Sequence, residues 1–224
     1  MYNENTRFMK EWKYMNKKLI AILLTMLMFT LSACRIFDEV KTSTIYVDKK
    51  GRVTSTTVAS LPSEQYDEKE LEASIDEALS EYNVGEEQDK ITLKRFKVKK
   101  EQATLRLVYA SSDDYEVFNE RILFVGTVAE AKVAGYDFEG EFLDASKSPV
   151  KGADILKNAT DEKVIITNEP VQIQTDKDIL YTSANATILD KRLAEVEAEA
   201  GATDNGITFG NEENAYIIYG EPKK

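Results

Sequence analysis

A run of basic residues follows directly after a run of acidic ones near the middle of the chain. The segment 64–89 contains 11 Asp and Glu residues and one Lys, and the segment 90–100 contains six Lys and Arg residues and no acid. Clustered Lys and Arg side chains bind phosphates and carboxylates. The candidate residues for binding a polyanion such as teichoic acid are Lys94, Arg95, Lys97 and Lys99. The simpler interpretation is that the basic segment lies beside the acidic one, in exposed ion pairs that contribute about 0–1 kcal/mol each.

Most of the chain lacks the residue types that many catalytic and metal sites require. There is no His, the single Cys is Cys34, and all five Met and the only Trp lie within residues 1–33. Zinc, copper, haem and iron–sulfur sites use His, Cys or Met, and Ser-His-Asp or Cys-His catalysis needs His. We therefore expect no cofactor and no transition metal after Cys34, and no disulfide within the chain. Oxygen ligands for a hard cation such as Ca²⁺ remain.

Three weaker patterns could carry chemistry. Ser148-Pro149-Val150-Lys151 has the spacing of a Ser nucleophile and its Lys base, but Pro149 and Gly152 favour a loop there rather than the helix start that this mechanism uses. Asp176-Lys177-Asp178 places acids near a turn, yet Leu180 falls where an EF-hand loop needs its fifth-position oxygen ligand. A pair of carboxylates could act as a glycosidase. With so many acids in the chain, spacing alone does not select such a pair.

The charge of the chain limits its partners. From Cys34 onward there are 24 bases and 38 acids, a net charge of −14, because residues 1–33 hold five of the 29 bases and two of the 40 acids. Binding to nucleic acid depends on neutralising phosphates with Lys and Arg, so we expect no nucleic acid partner. Electrostatic adhesion to anionic lipid is disfavoured for the same reason.

The N-terminal segment has the features of a secretory signal. Leu19–Phe29 is an apolar run broken only by Thr25, and two basic residues, Lys17 and Lys18, precede it. Eleven residues are too few for a helix that spans a bilayer, which needs about 20. A charged segment, an apolar segment and then small residues are typical of a signal peptide. Either Met1 or Met15 could be the true start, since residues 15–18 alone provide the charged segment.

The residues that follow the apolar run form a more specific motif. Leu31-Ser32-Ala33-Cys34 resembles the lipobox of bacterial lipoproteins, an aliphatic residue and two small ones before a Cys. The resemblance implies that a diacylglycerol is attached to the Cys34 thiol and that residues 1–33 are then removed as a signal peptide. The protein would be held on the outside of the cell membrane by its lipid. Residues 34–42 would form a short tether, whose eight residues after Cys34 reach about 27 Å at most.

The remaining segment, 43–224, is predicted to be a single extracytoplasmic α+β domain, with a soft boundary near 146–152. Two short sequence segments in it, Thr44–Gly51 and Gly126–Ala131, resemble segments of uncharacterised lipoproteins of clostridial gut bacteria. This resemblance implies no activity. We expect mostly antiparallel hairpins with a few short helices, and a C-terminal part rich in β-strand. The reasons are that short runs of β-branched residues recur between turn residues, and that no repeating strand–helix–strand pattern is present.

The predicted elements follow local signals. Hairpins are expected at 44–58 and 91–109, the latter with a bulge near Lys94-Arg95 where the apolar phase shifts. Helices are expected from Asp67 to Tyr82, at 112–119, after the capping box Thr127-Val128-Ala129-Glu130, at 153–158 and at 191–200. Further strands are expected at 121–125, 164–167, 171–174, 179–181, 187–189 and 215–219.

Three functions are compatible with these observations. We expect a membrane-anchored surface lipoprotein that is a non-catalytic binding or structural module, with an unknown envelope protein or polymer as its partner. The alternatives are a small carboxylate-dependent hydrolase of envelope or extracellular polymer and a single-lobe solute-binding protein. A buried carboxyl with a second one about 5–9 Å away would favour the hydrolase. A concave pocket lined by convergent polar groups would favour either alternative.

Overall fold

Two β-sheets pack against each other, and helices cover the faces that remain apolar. The computed structural model describes residues 41–61, 67–85, 89–199, 203–204, 207–208 and 211–221. Residues from Lys41 onward form one compact unit. The predicted signal peptide 1–33, Cys34 and most of the tether 34–42 lie outside the described residues. The predicted α+β class, rich in antiparallel strands, is confirmed.

Sheet 1 has seven strands in the order β11-β12-β9-β1-β2-β4-β3. Numbered along the chain, they are β1 Thr44–Val47, β2 Val53–Ser60, β3 Ile91–Lys99, β4 Gln102–Tyr109, β9 Gln172–Gln174, β11 Ala186–Asp190 and β12 Leu193–Val196. All their pairings are antiparallel except that of β1 with β9, which is parallel.

Sheet 2 has six strands in the order β5-β8-β15-β10-β6-β7, all antiparallel. They are β5 Leu123–Thr127, β6 Glu141–Asp144, β7 Pro149–Lys151, β8 Lys163–Thr167, β10 Asp178–Ser183 and β15 Ala215–Gly220. A two-stranded ladder joins β13 Thr203–Asp204 and β14 Ile207–Thr208. The helices are α1 Glu68–Tyr82, α2 Ser112–Asn119, α3 Val128–Val133 and α4 Gly152–Asn158.

Sheet 2 is buried on both faces, which explains its continuous apolar strands. Successive side chains of a strand point to opposite faces, and Val164, Ile165 and Ile166 of β8 are all fully buried. Ile165 belongs to the core between the two sheets, which α1 and α2 complete. Val164 and Ile166 belong to a second core beneath α3 and α4.

The local signals placed most elements correctly. Asp67 caps α1, accepting hydrogen bonds from the backbone N–H groups of Lys69 and Glu70. The capping box of α3 forms between Thr127 and Glu130. Both predicted hairpins are present. The bulge is confirmed as well, because the register of β3 shifts between Leu93 and Arg95.

Two predictions in the second half of the chain need correction. The helix expected at 191–200 is wrong, since Leu193–Val196 is strand β12 between β9 and β11. Ala194 and Val196 are buried and alternate with half-buried residues, so burial against the second sheet outweighs the helix propensity of this Ala- and Glu-containing stretch. The β6–β7 hairpin was not predicted. It contains Pro149, which an edge strand tolerates.

Candidate functional site

Three basic residues of β3 lie on one side of sheet 1, and the bulge lets the apolar residues before and after it face the other side. Leu93 pairs with Leu107, and Phe96 pairs with Leu105, so these two β3 residues share the inner face with leucines that contact the core. Arg95, Lys97 and Lys99 alternate with the inner residues and therefore lie on the outer face. Lys94 is the additional residue at the bulge and is exposed.

The neighbouring strand adds a fifth positive charge. Arg106 of β4 is directly opposite Arg95, and its Nε donates a hydrogen bond of 3.2 Å to Oγ1 of Thr56 on β2. Thr104 and Gln102, which pair with Lys97 and Lys99, are uncharged. We call the set Lys94, Arg95, Lys97, Lys99 and Arg106 the basic face.

The spacing of the basic face suits a polymer with regularly placed anionic groups. Alternate residues of a strand lie about 6.6–6.8 Å apart, so Arg95, Lys97 and Lys99 form an evenly spaced row. Lys94, Lys97 and Lys99 are exposed, and within the described part of the chain none of these three lysines forms an ion pair. Their charges are therefore available to a ligand.

Charge changes sign across the outer face of sheet 1. Moving from β4, the row of Arg106 continues through Thr56, Thr44 and Gln172 to Glu195 on β12. The uncharged centre thus separates the basic face at one edge of the sheet from acidic residues near the other edge. The local charge at β3 and β4 is opposite in sign to the net charge of the body.

The acidic helix α1 contacts β3 from the opposite side of the sheet. Its inward residues Ile75, Leu79 and Tyr82 pack into the core between the sheets. Acidic residues of its first two turns, such as Glu68 and Glu72, are exposed. The predicted neighbourhood of acidic and basic segments therefore exists, but the sheet separates the helix from the basic face.

The other sequence-predicted sites do not assemble into a catalytic arrangement in the described residues. Ser148 precedes edge strand β7 and donates its backbone N–H to Oδ1 of Asp144, so it is not at the helix start that the Ser-Lys mechanism uses. Asp178 accepts a hydrogen bond of 3.0 Å from Nε of Arg192. Among the residues that the structure describes, no group of three or more Asp, Glu, Cys or His could hold a metal ion.

One half-buried carboxyl, that of Glu169, was not among the residues predicted from the sequence. Its Oε1 accepts a hydrogen bond of 2.8 Å from the hydroxyl of Tyr115, which is itself buried. Burial raises the pKa of Glu169, while the Tyr115 hydrogen bond and the charge of Arg121 act in the opposite direction. Besides burial, the groups that shift this pKa are Tyr115 and Arg121. Neither is a carboxylate, so neither is the second carboxyl that a glycosidase requires.

We expect Glu169→Gln to change how stability depends on pH. Because burial raises the pKa of Glu169 in the folded state, protonation stabilises the fold at low pH, and this contribution is lost as the pH rises through the folded-state pKa. At pH 7 the ionised carboxylate is a net cost. Glutamine keeps an acceptor for Tyr115, so the variant should be more stable at pH 7 by about 1 kcal/mol.

This advantage should shrink as the pH falls towards 4.5, the ordinary pKa of a glutamate. Urea unfolding at several pH values measures it, and Glu139→Gln, at an exposed residue, is the matched control. The interpretation fails if the Gln variant differs from the native chain by the same amount at every pH.

Two clefts flank α4. The larger, of about 510 Å³, lies between α3 and α4, and its charged residues are all exposed: Lys132, Asp137, Glu139, Glu141 and Lys151. The smaller, of about 290 Å³, includes Asp144, Asp154 and Tyr181. Ligand pockets usually measure about 300–1,000 Å³ and bury a few convergent polar groups. The charged residues of the larger cleft are exposed and of both signs, so the cleft favours neither a cationic nor an anionic solute.

The tyrosines on strands act mainly in packing. Tyr109 and Tyr219 are buried, and Tyr181 and Tyr216 pack against the second core. None of the four is an exposed sugar platform. The structure contains no helix, among the described residues, that is long and apolar enough to cross a membrane.

Arg106 could have been found from the sequence, because it alternates with Leu105 and Leu107 on a predicted hairpin strand. Glu169 carried no such signal, since its hydrogen-bond partner Tyr115 is 54 residues away in the chain. No family model, no curated protein and no solved structure matches the chain, so a functional assignment depends on the geometry of its own residues.

Proposed function

We propose that the protein is a lipid-anchored, non-catalytic module of the outer cell surface that binds a phosphate-rich polyanion of the envelope through its basic face. The observation that carries this proposal is the register of β3 against β4, which places Arg95, Lys97 and Lys99 on the outer side of sheet 1 with Arg106 opposite Arg95. The anchor in this proposal is the lipid on Cys34, which the lipobox implies.

Phosphate chemistry fits the residues of this face. Arg binds phosphate through parallel N–H donors, and Lys binds it as a point charge. Both residue types are present, in a row along β3 and in the Arg95–Arg106 pair across the two strands. The acidic remainder of the body favours a narrow, local contact, since charges more than about 8 Å from a ligand are largely screened at physiological salt.

The test is binding of soluble, long-chain polyphosphate to the domain, residues 41–224. Both cores consist of residues from Ile45 onward, so this segment contains what it needs to fold. Binding should weaken with salt, with a slope of about −3 in log K against log salt concentration for four contacts. Substituting Lys94, Arg95, Lys97 and Lys99 together by Gln should abolish measurable binding.

The matched control removes four exposed lysines outside the basic face, Lys50, Lys147, Lys157 and Lys191, and changes the net charge equally. It should bind polyphosphate as the native domain does, and circular dichroism should show that both variants are folded. The proposal is wrong if the native domain does not bind, or if the two quadruple variants lose binding to the same extent.

A further inference from the structure

The basic face and the point where the chain joins the domain lie at the same end of sheet 1. Strand β1 begins at Thr44, which pairs with Thr56 of β2. Thr56 pairs with Arg106, and Arg106 pairs with Arg95. The first residue of β1 is therefore level with Arg106 and Arg95, although two strands separate it from β3.

The residues before Thr44 continue towards the more basic end of β3. The Ser43 hydroxyl accepts a hydrogen bond from the backbone N–H of Val58 and donates one to its carbonyl. Val58 pairs with Thr104, which lies opposite Lys97. Followed backwards from Ser43, the chain thus leaves the sheet at the end where Lys97 and Lys99 are found.

Further positive charges lie at this end. Lys100 and Glu101 form the turn between β3 and β4, both with positive φ, and Lys41 is the first described residue and is exposed. Lys97, Lys99 and Lys100 are all exposed. Glu101 is the only acid in the hairpin from β3 to β4. We call the three lysines together with Lys41 the basic end.

We infer that the basic end docks on anionic phospholipid headgroups of the membrane that carries the anchor. This inference rests on the proposed function, in which Cys34 is acylated and the basic face binds phosphate. A tether of eight residues reaches about 27 Å at most, so a lipid on Cys34 would keep the chain's point of attachment near the bilayer surface. The phosphate groups nearest to the basic end would then be those of the lipid itself.

The net charge of −14 does not prevent this contact. Near an anionic surface each Lys or Arg strengthens binding about five-fold, and the attraction decays within a Debye length, about 8 Å at physiological salt. Acids at the β11–β12 edge, such as Glu195, lie several strands away from the basic end. Helix α1 begins at the same end of the sheet as Lys97 and Lys99, because its C-cap residue Asn83 is hydrogen-bonded to Ile91 at the other end of β3. The exposed acids at the start of α1, such as Glu68 and Glu70, lie on a helix that packs on the inner face of the sheet.

Such docking would fix the orientation of the domain on the cell. The turn between β1 and β2, with Asp48 and Gly51, is at the opposite end of these strands and would face away from the membrane. A lipid alone leaves the body free to rotate about its tether. The basic end adds the second, electrostatic contact that orients it.

The experiment is sedimentation of the 41–224 domain with large unilamellar vesicles in 0.1 M NaCl. Vesicles of 70% phosphatidylcholine and 30% phosphatidylglycerol are compared with pure phosphatidylcholine, and soluble polyphosphate is tested in parallel. We expect binding to the phosphatidylglycerol vesicles and to polyphosphate, and none to pure phosphatidylcholine. Substituting Lys97, Lys99 and Lys100 by Gln should weaken it about 100-fold, whereas substituting Lys50, Lys147 and Lys157, with the same change in net charge, should leave it unchanged.

The outcomes separate this inference from the proposed function. Binding to polyphosphate without binding to phosphatidylglycerol vesicles would overturn the membrane docking and point to a soluble envelope polymer. Failure to bind either probe would overturn both. Equal weakening by the two triple variants would also overturn the docking, because it would show that only net charge matters.

Discussion

Replacing Gly152 by alanine is expected to destabilise the domain by about 3 kcal/mol. Gly152 is the first residue of α4 and is buried. A Cβ placed on it would lie 1.4 Å from the carbonyl oxygen of Phe138 and 3.2 Å from the ring of Phe142. The first contact is with backbone, which cannot rotate away, so either α4 or the chain at Phe138 must move. Overpacking of this kind typically costs about 1–3 kcal/mol, and occasionally more.

Helix propensity alone predicts the opposite result. Alanine is more favourable than glycine in a helix by about 1 kcal/mol, and the φ angle of Gly152 is not one that requires glycine. A loss of stability would therefore report the close approach of α4 to Phe138. That contact helps to hold α4 over the second core, to which Phe138 and Ile155 belong.

Gly140→Ala is the matched control, because a Cβ there would meet nothing within 4 Å. It should change the free energy of unfolding by less than about 0.5 kcal/mol. Urea unfolding followed by far-UV circular dichroism suits the domain, whose sequence after residue 33 contains no Trp. A Gly152→Ala variant as stable as Gly140→Ala would show that α4 is not packed as described.

Elements that depend on neighbouring residues were predictable from the sequence. Asp67 and Thr127 initiate helices because their side chains accept hydrogen bonds from the first backbone N–H groups of the helix, a local effect. The bulge at Lys94 was visible because the apolar period of two breaks there. The two hairpins followed from short turns between strands of matching alternation.

Elements that depend on distant partners were not predictable. Leu193–Val196 contains residues that favour a helix as well as a strand, and its pairing with β9 and β11 decides the outcome. The parallel pairing of β1 with β9 joins Thr44 to Gln172, and no local pattern selects one partner over another. Tertiary contacts of this kind override propensity.

In the candidate site, too, some features follow from the local sequence and others depend on distant parts of the chain. The four basic residues of β3 were identified from the sequence, and their alternation predicted a shared side for Arg95, Lys97 and Lys99. Arg106 joins them only through the register of β3 against β4. The relation between the basic end and the start of β1 depends on four strands in their observed order, so it required the structure.

Cys34→Ala is expected to remove the protein from the membrane fraction almost completely. Cys34 is the only cysteine and the lipobox implies that its thiol carries the diacylglycerol. Each buried CH₂ contributes about 0.8 kcal/mol to membrane binding, so two acyl chains anchor stably where one gives only marginal binding. The uncut leader is a poor substitute, since its apolar run of eleven residues is too short to span the bilayer.

Fractionation in 1 M NaCl makes this prediction independent of the basic face. At that salt concentration the Debye length is about 3 Å, so electrostatic docking is suppressed while a lipid anchor persists. The native chain and the control Ser32→Ala, which keeps a small residue before Cys34, should stay with the membrane, and mass spectrometry should find the lipid on Cys34. If Cys34→Ala is retained as well, or if the native thiol carries no lipid, the protein is held by something other than acylation, and no lipid on Cys34 holds its basic end near the bilayer.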